Sequence, residues 1–142
     1  MAIWKSYIDV KTINEQSKHF MPGHIGIELT EIGDDFVKAR MPVDHRTTQP
    51  YGLLHGGASV ALAESLGSVA GTLCVNLSEE AVVGLGINAN HIRSVKSGFV
   101  EGIARPLHIG RNTQVWEIKI TNEEGKLVCA SRITLAVVKI NK

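Results

Sequence analysis

The sequence predicts an α+β domain in which a curved antiparallel β-sheet wraps around one long central helix, and three observations carry that prediction. The run from Gly56 to Asn76 is apolar with helical rather than alternating spacing, and it contains a single charged residue, Glu64. Four strand-like runs follow it, and a strand pair precedes it, divided by the turn composition Gly33-Asp34-Asp35. A sheet that is apolar on one face and a helix that is apolar along one stripe bury each other, so the six strands form one layer around the helix.

Taken in order, Thr12 followed by Glu15 is a capping-box pattern that opens a short helix reaching Phe20, and Met21-Pro22-Gly23 ends it. Strands follow at Ile27 to Ile32 and Phe36 to Met41, with Pro42 closing the second. A loop from Asp44 to Leu54 leads into the central helix, after which Leu77-Ser78-Glu79-Glu80 reads as an exposed connection. The rest is a β-meander: Val82 to Arg93, Phe99 to Ala104, Thr113 to Thr121 and Leu127 to Val138, with a turn at Asn122-Glu123-Glu124-Gly125. Within it Trp116, Ile118 and Ile120 alternate with Val115, Glu117 and Lys119, which predicts one buried face and one more exposed face.

A length of 142 residues with 44% hydrophobic content fits one domain spanning 1–142, with a real core and no room for a second. A formal net charge of +1 gives no electrostatic basis for a nucleic-acid or membrane-surface partner. Cys74 and Cys129 show no pairing motif and no secretory signal precedes them, so buried thiols in a reducing, cytoplasmic compartment are expected. No membrane span is expected, because Glu, Ser and Gly interrupt the one apolar helix and the N-terminus has no long apolar stretch. The six histidines, His19, His24, His45, His55, His91 and His108, lack metal-binding spacing, and no metal is predicted. There is no GxSxG elbow, and Gly84-Leu85-Gly86-Ile87-Asn88-Ala89 lacks the third glycine and following helix of a dinucleotide fingerprint.

Glu64 is where the chemistry concentrates. An ionised carboxylate inside a low-dielectric element costs several kcal/mol unless something compensates it. On a helix Ala61, Glu64, Ser68 and Gly71 form a stripe of small residues, opposite the bulky stripe of Leu62, Leu66, Val69 and Leu73. The expectation is that the bulky stripe enters the core and Glu64 points into a narrow seam, a candidate subunit interface. Just upstream, the segment from Gln49 to Gly57 leaves backbone N–H groups open at the helix N-terminus, where they stabilise negative charge. His55 and Gly56 form a candidate oxyanion hole there, the alternative being a loop histidine beside glycines that only permit a tight turn.

This order of elements, with QPYGLLHGGASVALAES, GINANHIRS and PLHIGRNTQVWEI, resembles the hotdog-fold acyl-CoA thioesterases that use a helix carboxylate. The likeness is to the branch acting on aromatic acyl-CoA thioesters such as 1,4-dihydroxy-2-naphthoyl-CoA of menaquinone synthesis. It spans nearly the whole chain, and it leaves the acyl group less specified than the reaction. The resemblance implies that Glu64 is the catalytic carboxylate, acting as nucleophile on the thioester carbonyl or as general base for water. It also implies that His55 and the Gly56 N–H polarise that carbonyl, that Gln49 positions water or substrate, and that Ser68 is a polar residue one turn past the carboxylate. From the residues alone, Gln49 reads as a solvated loop side chain and Ser68 equally as a surface serine.

For coenzyme A the matching positions are Gly84, the run His91, Ile92, Arg93 and Ser94, and the run His108, Ile109, Gly110, Arg111, Asn112 and Thr113. A nucleotide carrying a 3′-phosphate and a pyrophosphate requires cations and open N–H donors, which Arg93, Arg111 and Gly110 supply. The bland alternative is arginines solvated at strand ends. No cofactor is implied, because coenzyme A is part of the substrate and product. The expected partners are the acyl-CoA and further copies of the chain, in a homo-oligomer whose dimer completes the sites, with a dimer of dimers as the full assembly. Two other readings compete. One is a hotdog dehydratase or hydratase, whose histidine sits in a proline-bearing loop unlike that around His55. The other is a non-catalytic acyl-CoA-binding module, whose regulatory forms carry a DNA-binding segment for which this chain has no room.

Overall fold

Period-two patterning decides which residues meet the helix. Trp116, Ile118 and Ile120 are fully buried while Lys119 between them is exposed, as the alternation requires. The computed structural model describes residues 1–140. Its elements are α1 (Val10–Ser17), α2 (Met21–His24), β1 (Glu28–Ile32), β2 (Val37–Pro42), α3 (Gly56–Leu73), β3 (Glu80–His91), β4 (Phe99–Ile109), β5 (Thr113–Thr121) and β6 (Leu127–Lys139). All pairings are antiparallel, in the order β1-β2-β4-β5-β6-β3, so β1 and β3 form the two edges.

The buried arc of α3 lies on this sheet through Leu62, Ala63, Leu66 and Ala70, each fully buried. Truncating Leu66 to alanine removes contacts there that are worth about 2–5 kcal/mol. Gly67 faces Ile133 and Gly71 faces Leu135 and Gln114, so closely that a Cβ at either position would clash. The expected stripe of small residues is therefore divided. Gly71 and its neighbour Gly67 let the helix approach the sheet, whereas Ala61, Glu64 and Ser68 remain partly exposed. Val69, expected in the core, is also partly exposed. Glu64 stands at the boundary of the buried arc rather than in a sealed interior.

Polar groups under the helix are matched. Trp116 Nε1 donates to Gln114 Oε1 at 2.8 Å and Gln114 Nε2 to the Gly71 carbonyl at 3.2 Å. No buried side-chain nitrogen or oxygen among the described residues lacks a partner. The last carbonyl of α3, that of Leu73, accepts the N–H groups of Lys5 and Ser6, and the Ser6 hydroxyl donates to the Val75 carbonyl just beyond the helix. Cys74 and Cys129 are free and buried, and burial pushes the Cys74 thiol up to about 11. Among the described residues, no helix is long and apolar enough to cross a membrane.

Three local expectations shift. The cap of α1 is Asp9, whose carboxylate accepts the Thr12 N–H at 2.7 Å, so Thr12 sits inside the helix. That hydrogen bond also holds the Asp9 carboxyl below its ordinary pKa. The helix stops at Ser17 rather than Phe20, and Met21-Pro22-Gly23 opens a short second helix, where proline in the first turn forfeits no hydrogen bond. Strand β4 runs past Ala104, where its pairing with β2 ends, to Ile109, because β5 pairs with it that far, and a bulge between Pro106 and His108 absorbs the proline.

Candidate active site

The approach to α3 is built from a loop that bonds largely to itself. Thr47 is buried, its hydroxyl donating to the Pro42 carbonyl at 2.7 Å. Its own carbonyl accepts the His55 N–H at 2.8 Å. Gln49 Oε1 accepts the Tyr51 N–H at 2.6 Å, which leaves the Nε2 amide as the free end of that side chain. Leu54 N–H donates to the Val95 carbonyl at 2.8 Å, tying the loop to the segment that leaves β3. At the base of the loop, Arg46 clasps the Asp44 carboxylate at 2.7 Å and lowers its pKa to about 2.

His55 caps α3. Its Nδ1 accepts the Gly57 N–H at 2.7 Å, so the neutral ring carries its proton on Nε2 and presents a donor there. The Gly56 N–H takes no part in any of these bonds and stands open at the positive end of an 18-residue helix. His91 lies over Gly56, close enough that a Cβ on that glycine would come within 2.9 Å of its Nε2. A pocket of about 310 Å³ joins Gln49, Gly56 and Ser59 to His91, Ile92, Arg93 and Ser94. Arg93 is partly committed to structure, its Nη1 donating to the Leu127 carbonyl at 2.8 Å.

Glu64 belongs to a second locality. Its carboxylate rests against Gly84 of β3, where a Cβ would sit 2.6 Å from Oε2, and a β-bulge between Gly84 and Gly86 shapes the strand at that point. Beside it opens a pocket of about 290 Å³. Helix α3 contributes Glu64, Ser65, Ser68 and Val69 to that pocket, the β1 flank contributes Ile27 and Leu29, and α1 and α2 contribute Asn14, Ser17 and Pro22. The β4–β5 hairpin carrying His108 to Thr113 lies towards the same end of the sheet, because Thr113 pairs with Ala136, itself the partner of Val83.

The candidate residues thus fall in two separate localities. Glu64 is eight residues along α3 from Gly56, about 12 Å at 1.5 Å per residue. Gly84 and His91 lie seven residues apart on β3, roughly 20 Å. One locality offers open N–H donors and no carboxylate; the other offers a carboxylate and no open helix end. Together they carry the kinds of group a carbonyl-attacking hydrolase uses: N–H donors able to face an oxyanion and a carboxylate able to attack or to deprotonate water.

Residues 51–129 match the thioesterase superfamily, spanning the α3 mouth, Glu64 and β3 to β5. The chain belongs to that superfamily. This thioesterase is 54% identical over 135 residues to the 1,4-dihydroxy-2-naphthoyl-CoA hydrolase of Escherichia coli K12, covering 95% of this chain and 98% of that one. It is 50% identical over 135 residues to the proofreading thioesterase EntH of Cronobacter turicensis, with coverage of 95% and 98%. A solved thioesterase structure from Haemophilus influenzae superposes with a TM-score of 0.95 at 50% identity, covering 99% of this chain and 97% of that one. The thioesterase has the hotdog fold, and it is an enzyme that hydrolyses thioesters.

Within one chain the candidates divide cleanly. Gln49, His55, Gly56 and the run His91 to Ser94 gather at the mouth, while Glu64, Ser68, Gly84 and the His108 to Thr113 hairpin lie towards the other end. Of the loop from Gln49 to Leu54, Gln49, Leu53 and Leu54 line the mouth. Asn14, Ser17 and Pro22 are the residues that sequence reasoning missed. Nothing in a short amphipathic helix marks a face that will meet helix residues more than forty positions later.

Proposed function

We propose that this acyl-CoA thioesterase hydrolyses aromatic acyl-CoA substrates, with each active site made from the mouth of one subunit and the Glu64 region of another. The observation that carries the reading is the separation of the open Gly56 N–H from Glu64 on one rigid helix, too far for both to meet one thioester carbonyl. Two chains pairing antiparallel along the free edge of β3, about a two-fold axis near Ile87 and Asn88, bring Glu64 and Gly84 of one to Gly56 and His91 of the other. The same pairing brings each His91 to Ser94 run towards the partner's His108 to Thr113 hairpin, so that both meet one coenzyme A. A dimer of such dimers is the assembly we favour.

In that site the thioester oxygen accepts the Gly56 N–H, with the His55 Nε2–H and the Gln49 amide as neighbouring donors. Glu64 either attacks the carbonyl carbon or takes a proton from the attacking water. The tetrahedral oxyanion collapses, the C–S bond breaks, and the coenzyme A thiolate takes up a proton. Water's oxygen ends in the free acid. The reaction requires no cofactor beyond the coenzyme A that the substrate brings, and no metal. Two free, buried thiols suit a reducing cytoplasm. Near-full-length similarity to a 1,4-dihydroxy-2-naphthoyl-CoA hydrolase supports an aromatic acyl group.

The test is thiol release from aromatic and aliphatic acyl-CoA thioesters by wild type and Glu64→Gln. Aromatic turnover by the wild type and a loss of about 10³-fold in kcat in the variant, with coenzyme A still bound, are expected. Undiminished turnover by Glu64→Gln contradicts the role of the carboxylate.

A further inference from the structure

We infer that α1 and α2 form the far wall of the acyl pocket and that Asn14 sets the length of acyl group the enzyme accepts. This rests on Glu64 being the group that acts on the thioester, since the acyl chain must then leave the carbonyl into the space beside it. That space is the pocket of about 290 Å³ whose near wall is Glu64, Ser65 and Ser68 of α3. It lies at the low end of the roughly 300–1,000 Å³ typical of small-molecule sites, room for a flat ring system and little more.

The far wall is fixed in place. Asn14 Nδ2 donates to the Leu29 carbonyl at 3.0 Å and its Oδ1 accepts the Leu29 N–H at 2.8 Å, so α1 takes up backbone groups at the edge strand of the sheet. Ile13 on the next position is buried in the core. Behind the wall lies a larger, open groove of about 720 Å³, bordered by Lys11, Glu15, Lys18, Glu28 and Arg46, and Asn14 and Ile27 line both spaces. Asn14, with Ile27, is therefore a partition. With it in place an acyl chain ends against α1, and without it the short pocket runs into the larger one.

The wall also stands outside the region that defines the family. Residues 10–24 precede the matched span of 51–129, which carries the α3 mouth and Glu64. The shared chemistry resides in that span, and the limit on the acyl group is added by the N-terminal helices. Besides Glu64 and Asn14, Ser17, Ser65 and Ser68 supply hydroxyl-bearing side chains around a space completed by Pro22, Ile27, Leu29 and Val69, a lining suited to a ring bearing polar substituents rather than to a saturated chain.

The test is kcat and KM for acetyl-, naphthoyl- and decanoyl-CoA with wild type, Asn14→Ala and Ser17→Trp, each confirmed folded by a cooperative thermal transition. Filling the pocket with Ser17→Trp should lower kcat/KM for naphthoyl-CoA by about 10-fold or more, mainly through KM, and should lower it far more than for acetyl-CoA. Opening the partition with Asn14→Ala should raise the decanoyl-to-naphthoyl ratio by about 10-fold. Folded, active variants that keep the wild-type ratios overturn the inference alone. A wild type inactive towards every thioester overturns the thioesterase reading beneath it as well.

Discussion

The two localities differ in how firmly the chain itself holds them. At the mouth, Gln49, Thr47, Leu54 and His55 are fixed by hydrogen bonds of 2.6 to 2.8 Å to backbone or buried groups, so the donor frame is complete before any ligand arrives. At the other locality Glu64 rests against the Gly84 backbone and enters no hydrogen bond or salt bridge among the described residues. A donor array gains from being rigid, because its dipoles must already point where charge will develop. An acid that meets its substrate from across an interface can be left for the other side to complete.

Among changes that leave Glu64 itself in place, disrupting the rigid half should have the larger effect. His55→Ser keeps an oxygen able to cap α3 and removes the imidazole, so kcat should fall by about 10²-fold while thermal stability changes little. Steady-state kinetics and a melting curve check both parts. The looser half responds to crowding. Gly84→Ala places a methyl against Oε2, and kcat should drop by about 10-fold with KM nearly unchanged, whereas Gly86→Ala, with open space around it, should behave as wild type.

A smaller effect concerns the Asp44–Arg46 clasp at the base of the mouth loop. Its carboxyl pKa is lowered to about 2, first by the Arg46 side chain, so its contribution to stability is present in full above the ordinary carboxylate pKa and is lost as pH falls through 2. Melting temperatures of wild type and Asp44→Asn should therefore differ near neutrality and converge between about pH 4 and pH 2. Least perturbing of all is labelling of Cys74. With its thiol pushed up to about 11 by burial, it should resist alkylation at pH 8 until the protein is denatured, as mass spectrometry would read directly.

The sheet and the long helix were legible because their signals are periodic and local. The boundaries of β5, Thr113 and Thr121, coincide with the expectation, and the lone carboxylate of α3 marked itself by interrupting an apolar run. The small residues of α3 were legible only as a set. A glycine that lets a helix meet its own sheet is indistinguishable in sequence from one that lets it meet another subunit, and Gly67 and Gly71 proved to be of the first kind. Asp9 displaced Thr12 as the cap because both lie within reach of the same helix end, and only geometry decides between them. The acyl-pocket wall was illegible for a different reason, since the role of Asn14 depends on the unpaired edge backbone of Leu29, fifteen residues away.

The sharing of each site between two chains is tested most directly by complementation. Glu64→Gln and His55→Ser chains, each strongly impaired alone, are denatured, mixed in equal amounts and refolded. In a mixed dimer one site then combines both lesions and the other has neither. Random pairing makes half of the dimers mixed, so about a quarter of wild-type activity should return. Activity no greater than that of the separate variants, from a mixture shown to contain mixed dimers, would place Glu64 and His55 of one chain in the same active site and contradict the division described here.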